Sequence, residues 1–192
     1  MTAVLQHPLG PTTVEQWLAT DRPVDGARHE LILGYLHVTP APSGRHQRAA
    51  FRLARFLEDA VETAGLEHEL HVVPAVNVEI SSAFRTALIP DVAVLNVEPD
   101  RVAFQPEHLV LAVEVWSPGN TAAERRTKLA GYAAAGVEYL WIVDLDDTGA
   151  TVTTHRLRLG AYTPETVIKP GDPDTLVTSA PVPVWVTPAR LV

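Results

Sequence analysis

The chain has 192 residues, 46% of them apolar and 20% charged, the composition of one globular unit with a sizeable core rather than of a disordered tail or a coiled coil. It contains no cysteine, which excludes a disulfide scaffold, a Cys-ligated zinc module, an iron–sulfur protein and a thiol enzyme. A formal charge of −8 opposes non-specific attraction to a phosphate backbone, so binding of nucleic acid would need a local basic surface.

The first residues, MTAVLQHPLGPTTVEQW, have no basic start and no long apolar run. Neither a signal peptide nor a membrane span is expected, and a cytoplasmic location is the default. No repeat and no low-complexity tract divides residues 1–192, which read as a single domain. Thr12 followed by Glu15 forms a capping-box pattern for a short helix through TVEQWLAT, which ends before the turn-rich DRPVDG. HELILGYLHV, from His29 to Val38, alternates around Leu33-Gly34 and predicts a tight hairpin with Glu30 at its start.

From Ser43 or Gly44 to about Ala64, Leu53, Leu57 and Val61 recur at four-residue steps, the stripe of an amphipathic helix that Gly65 stops. LHVV, AVNVEI, DVAVL and LVLAVEVW then follow at strand spacing. A second helix is expected from a cap at Asn120 or Thr121 through Ala135, closed by Gly136, with VEYLWIVD returning as a strand. Beyond Asp147, TVTTHRL and a proline-rich end read as edge strands and wrapping loops. The fold expected is α/β, a mixed central sheet flanked by helices.

HLVLAVEVW is apolar on both parities, so its strand should be covered on both faces and lie centrally in the sheet, yet Glu114 interrupts it. A buried carboxylate must be neutral, paired with a base or bound to a cation. Asp91, at the mouth of the apolar strand VAVL, offers a second acid to the same spot. Two carboxylates about 4 Å apart repel by roughly 4 kcal/mol at an effective dielectric near 20. A hard divalent cation would remove that strain and suits metal-assisted hydrolysis. The bland alternative leaves Asp91 in solvent and pairs Glu114 with an arginine. Lys128 falls one strand-to-helix connection after Glu114 and could orient an attacking water, or else form an exposed helical pair with Glu124. Tyr132 lies one turn further on the same face and is a candidate to touch substrate.

Glu30 in its hairpin, SGRHQR from Ser43, PDVAVL from Pro90, VEVWSPGN from Val113, then Lys128, Tyr132 and GVEYLWIVD from Gly136 together resemble the Uma family of "putative restriction endonucleases", within the PD-(D/E)XK nuclease superfamily. The resemblance runs from Glu30 to Asp144 with order and spacing intact. It implies a restriction-endonuclease-like core over about residues 28–145, with the N-terminal helix and the C-terminal hairpin and tail as decorations. It also implies a Mg²⁺-dependent endonuclease acting on DNA, with Mn²⁺ as a substitute, in which Asp91 and Glu114 hold the cation, the Val115 carbonyl adds a ligand, and Glu30 supplies a further acid. A homodimer is expected on the same ground, and aromatic strands such as VEYLWIVD would suit its interface. One departure is clear: where the superfamily signature places lysine two residues after its acid, this chain has Trp116. In the Uma family the lysine lies on the following helix, which matches Lys128. Gly119 and Glu124 replace a serine and an aspartate common in the family.

Arg45, Arg48, Arg52 and Arg55 step along one side of the first long helix and could face phosphates, as could His46. The alternative is a solvated face paired with Glu58, Asp59 and Glu62, and Arg45, His46 and Arg48 carry more weight because they lie in the family segment. His68 and His71 sit in a segment read as a strand, which would send their rings to opposite faces and makes a zinc pair improbable. Ser117 lies before Pro118 in no nucleophile-elbow motif and reads as a turn residue. Trp116, Tyr139 and Trp141 read as core or subunit contacts rather than stacking platforms for bases. A catalytically silent module that keeps the fold for binding or assembly is the competing reading, motivated by Trp116 and the acidic charge.

Overall fold

The computed structural model describes residues 9–20, 26–116 and 120–192. The first helix, α1 (Val14–Leu18), is capped by Thr13, whose side chain accepts from the Gln16 N–H while Gln16 answers the Thr13 N–H. The capping box is therefore set one residue later than Thr12 and Glu15 suggest, because Gln serves as well as Glu at the third helical position. The expected turn at DRPVDG lies, save Gly26, outside the described residues, as does Ser117.

Strands β1 (Arg28–Ile32) and β2 (Tyr35–Thr39) form the expected hairpin, with Leu33 and Gly34 both at positive φ, 53° and 81°, as a two-residue primed turn requires. Helix α2 (Gly44–Ala64) starts at the Ser43 cap and stops at Gly65, which is left-handed at φ 71°. Then come β3 (His71–Pro74), β4 (Asn77–Ser81), β5 (Thr86–Leu88), β6 (Val92–Leu95), β7 (Ala103–Phe104) and β8 (Leu109–Trp116). Helix α3 (Ala122–Ala134), capped by Thr121, leads into β9 (Tyr139–Asp146), β10 (Gly149–Arg158), β11 (Ala161–Ile168), β12 (Thr175–Val177) and β13 (Val184–Val186). No helix among the described residues is long and apolar enough to cross a membrane.

The architecture is mixed α/β. Six strands make the main sheet in the order β11-β10-β9-β8-β6-β3, antiparallel except where β8 runs parallel to β9. That one parallel pair needs a crossover, and α3 is the crossover. A five-stranded sheet, β2-β1-β5-β4-β7, and the β12–β13 ribbon complete the unit. The period-2 alternation of β8 divides the interior. Leu111, Val113 and Val115 pack with Leu53, Leu57 and Val61 of α2, whereas Ala112 and Trp116 pack with Tyr132 of α3 and with Ile32, Val78 and Leu88 of the smaller sheet. Glu114 has the parity of the second group and so faces α3.

Several expectations need correction. TVTTHRL belongs to β10, which lies inside the main sheet between β9 and β11; its threonines follow β propensity more than they report exposure. Of this hairpin only β11 is an edge strand, and Pro164 sits there opposite His155 at a register shift, a position that tolerates a missing N–H. The C-terminal segment supplies Val177, Ala180, Val182, Val184, Val186 and Leu191 to the α2-side core, and the Ser179 carbonyl accepts from Trp141 Nε1 at 2.7 Å. It closes the core rather than decorating it. VEYLWIVD is likewise interior: Tyr139 and Trp141 are buried, so this strand offers no dimer surface. His68 lies in the turn before β3 and only His71 in the strand. Strands β5 and β7, three and two residues long, are too short to show a period in the sequence.

Candidate active site

Asp91 precedes β6, and its backbone N–H donates to the Val113 carbonyl at 2.9 Å. It continues the register one step past the pair Val92–Val113 and so stands beside Glu114 on the α3 face. One Asp91 oxygen, Oδ1, accepts from Arg28 Nη1; the other, Oδ2, accepts from the Val115 N–H at 2.7 Å. His46, in the first turn of α2, approaches from the opposite side of β8. Its Nε2 lies 2.9 Å from the Val115 carbonyl oxygen and 3.3 Å from Asp91 Oδ2. A carbonyl can only accept, so Nε2 carries the proton, while Nδ1 is buried without a hydrogen-bond partner.

Two helical turns into α3, Lys128 crosses to the sheet. Its Nζ lies 2.8 Å from Glu30 Oε2 and 3.0 Å from Glu114 Oε2. Tyr132, one turn later on the same face, donates its hydroxyl to Glu114 Oε1 at 2.7 Å, and Glu30 Oε1 accepts from the Ile89 N–H at 2.8 Å. All three carboxylates are at most 4% exposed. The exposed pairing of Lys128 with Glu124 does not form: Glu124 accepts from Asn120 instead, at 3.1 Å. The bland pairing of Glu114 with an arginine fails too, since its partners are Lys128 and Tyr132, and it is Asp91 that takes the guanidinium.

Burial pushes the Glu114 carboxyl up to about 7, and the neighbouring charges of Glu30 and Asp91 add to it, outweighing the attraction of Lys128. Burial also opposes ionisation of Asp91, but His46, Arg28 and the Val115 N–H together hold it below the usual range. Lys128 loses solvation on burial, yet Glu114 and Glu30 hold it as an ammonium far above the ordinary lysine range. Burial and the same acids raise the Tyr132 hydroxyl well above its usual value, so it stays a donor. Three acids thus face two fixed cations, and Glu114 is held the least firmly as a carboxylate.

These groups form one wall of a cleft of about 430 Å³, closed opposite by Val38, Thr39 and the Pro40–Ser43 connection into α2. Asp91, Glu114, Val115, Lys128, Glu30 and His46 all line it, and so does Arg28, which the sequence reading passed over. A signal was present: Arg28 is two residues before Glu30 and therefore on the same face of one strand. Tyr132, expected to touch substrate, is fully buried behind Glu114 and serves to hold that carboxylate. His46, expected on a phosphate, is 9% exposed and turned to Val115 and Asp91. Arg45 and Arg48 are exposed on the turns that carry His46, Arg45 reaching the Gly149 carbonyl at 3.4 Å. Arg55 pairs loosely with Asp59 at 3.9 Å, and Arg52 is half-buried, with its Nε unpartnered.

A family model described as "Putative restriction endonuclease" matches residues 14–189. The chain belongs to the Uma2 family. Uma2 architecture accounts for the C-terminal segment as well, since the match extends through the β12–β13 ribbon. A crystal structure described as a "putative nuclease", from Anabaena variabilis, superposes with a TM-score of 0.69 at 19% identity, covering 94% of this chain and 97% of that one. At that identity the likeness concerns the fold. No curated protein matches the sequence.

For a divalent cation the donors of this Uma2 site fit by chemistry. Asp91 Oδ2 and the Val115 carbonyl oxygen both lie within 3.3 Å of one atom, His46 Nε2, and are hard oxygen ligands of the kind Mg²⁺ and Mn²⁺ prefer. Glu114, a third oxygen donor, stands beside Asp91 on the α3 face. Among the described residues no three His, Asp or Glu side chains are yet gathered as a ligand set, because the carboxylates are turned to Arg28, Lys128, Tyr132 and backbone N–H groups.

Proposed function

We propose that the protein hydrolyses phosphodiester bonds of DNA as a divalent-cation-dependent endonuclease. The observation that carries this reading is the shared Lys128: two buried acids from different segments hold one ammonium in a cleft wall that also contains Asp91. Family and fold support the same class. Asp91, Glu114 and the Val115 carbonyl would hold Mg²⁺, or Mn²⁺ in its place. When bound, such a cation supplies Lewis-acid charge to the phosphate and to the attacking water.

The side chains have separable duties. Lys128, permanently charged, donates hydrogen bonds that orient the water or a phosphate oxygen; it does not accept a proton. Glu30 and Glu114 fix where that ammonium sits, and Tyr132 fixes Glu114. His46 braces the Val115 carbonyl from the far face of the sheet. Arg45 and Arg48, on the outer side of α2, are assigned to the DNA backbone, supplying the local basic surface that an acidic protein needs. A homodimer remains part of this reading and must use a surface other than β9.

Purified protein with Mg²⁺ or Mn²⁺ is expected to nick or cut plasmid DNA, and Asp91→Ala and Lys128→Ala are each expected to abolish the cleavage. Activity that survives both changes refutes the assignment. A second reading, a silent binding or assembly module, is favoured by one observation: every oxygen of Glu30, Asp91 and Glu114 already has a protein donor. Calorimetry that detects neither divalent ion nor DNA binding decides for it.

A further inference from the structure

Arg28 borders two clefts. It lines the cleft of the candidate site and also a second one of about 330 Å³, bounded by Trp17, Thr20, His29, Asn77 and Val102. Its Nη1 reaches Asp91 Oδ1. The side chain is 22% exposed and Asp91 only 5%, so the guanidinium plugs the carboxylate from the solvent side. The other oxygen of Asp91 is fixed by the Val115 N–H. A cation drawn to Asp91 and the Val115 carbonyl is therefore repelled by the guanidinium already paired with the same carboxylate.

Charge balance shows what Arg28 does in the meantime. Lys128 is committed to Glu30 and Glu114, so Arg28 supplies the formal positive charge that compensates Asp91, and an uncompensated buried carboxylate is strongly unfavourable. The guanidinium also has somewhere to go, because Arg28 lines two clefts. A planar fork released from a carboxylate is the group best suited to grip a phosphate.

We propose that Arg28 is an exchangeable stand-in for the cation: it holds Asp91 while no divalent ion is bound, yields it when the ion arrives, and then presents its guanidinium to the phosphate in the same cleft. This makes Arg28 a positioning residue that couples ion binding to anion binding. The inference rests on the cation-dependent reading above and deepens it.

The test is calorimetric titration of Mn²⁺ into the wild type, Arg28→Gln and Asp91→Asn, with thermal denaturation of each. Arg28→Gln is expected to bind Mn²⁺ about tenfold more tightly, since a charge-assisted bond no longer has to be broken. It is also expected to melt lower than the wild type without the ion and to gain more from added Mn²⁺. A merely long-range charge effect would raise affinity without lowering the ion-free melting temperature. Titrated with inorganic phosphate, the wild type should bind more tightly once Mn²⁺ is present, and Arg28→Gln should lose that gain. Arg28→Lys, which keeps the charge but has a single donor head, guards against misfolding of the glutamine variant and should bind Mn²⁺ with intermediate affinity. Arg28 variants that bind Mn²⁺ no more tightly than the wild type, while Asp91→Asn abolishes binding, overturn this inference alone. Absence of Mn²⁺ binding in the wild type and in Arg28→Gln overturns it together with the reading on which it rests.

Discussion

Replacing Lys128 with methionine keeps the length and packing of the side chain and removes only its charge and donors. Glu30 Oε2 and Glu114 Oε2 lie 2.8 and 3.0 Å from the same ammonium, so they are no more than 5.8 Å apart. At an effective dielectric near 20, two charges at that distance repel by roughly 3 kcal/mol. Breaking a buried pair by deleting one partner typically costs about 3–5 kcal/mol. The variant should therefore lose roughly 3–5 kcal/mol of unfolding free energy at pH 8. The repulsion adds to the burial that already raises the Glu114 pKa in the folded state above the unfolded value. Such a group binds its proton more tightly when folded, so the loss grows as pH rises from about 4.5 through the folded pKa and shrinks again on acidification. Urea denaturation followed by the fluorescence of buried Trp116 and Trp141 at pH 8 and pH 5.5 measures both quantities. Much of the loss should return at the lower pH, and Glu30→Gln added to Lys128→Met should restore most of it at pH 8. Wild-type stability at pH 8, or an equal deficit at both pH values, would refute the idea that two buried carboxylates are charged around this lysine.

The same electrostatics act in the unaltered protein. With Glu114 pushed up from 4.5 to about 7, its contribution favours folding below the unfolded pKa and is lost as pH rises through about 7. Glu114→Gln should thus flatten the stability profile between pH 5 and 7 and gain on the wild type above pH 7 by an amount on the order of 2–3 kcal/mol; a profile that keeps its slope assigns the titration to another group. Gly34 is at φ 81° in the turn that positions Glu30, and a Cβ there would lie 2.4 Å from the Gly10 carbonyl oxygen. Gly34→Ala should cost at least about 2 kcal/mol by thermal or urea denaturation, and a neutral outcome would mean that the Gly10 segment is not held against the turn.

How much of the site could be read in the chain varies residue by residue. Glu114 betrays itself because a charge in a strand that is apolar on both parities demands a partner, and Lys128 could be matched to it by the length of one crossover. Arg28 carried a weaker sign, its two-residue offset from Glu30. Tyr132 and His46 could be placed on the right helix faces, but not given their partners. A helix period says which side chains point inward; it does not say whether an inward hydroxyl or imidazole meets a substrate, a carboxylate or a strand carbonyl.

The order of elements, the hairpin at Leu33-Gly34, the caps at Ser43 and Thr121 and the stop at Gly65 are local matters. Each is decided within a few residues by backbone sterics and hydrogen bonding, so the linear pattern suffices. The position of β10 inside the sheet, the use of the proline-rich end to close the α2-side core, and the gathering of Glu30, Asp91, Glu114 and Lys128 from four separate segments are of another kind. They depend on which faces bury against which, a competition among long-range contacts that no window of sequence contains. The charge balance at Asp91 belongs with them, since Arg28 is 63 residues away along the chain and only the packing of two sheets brings it there.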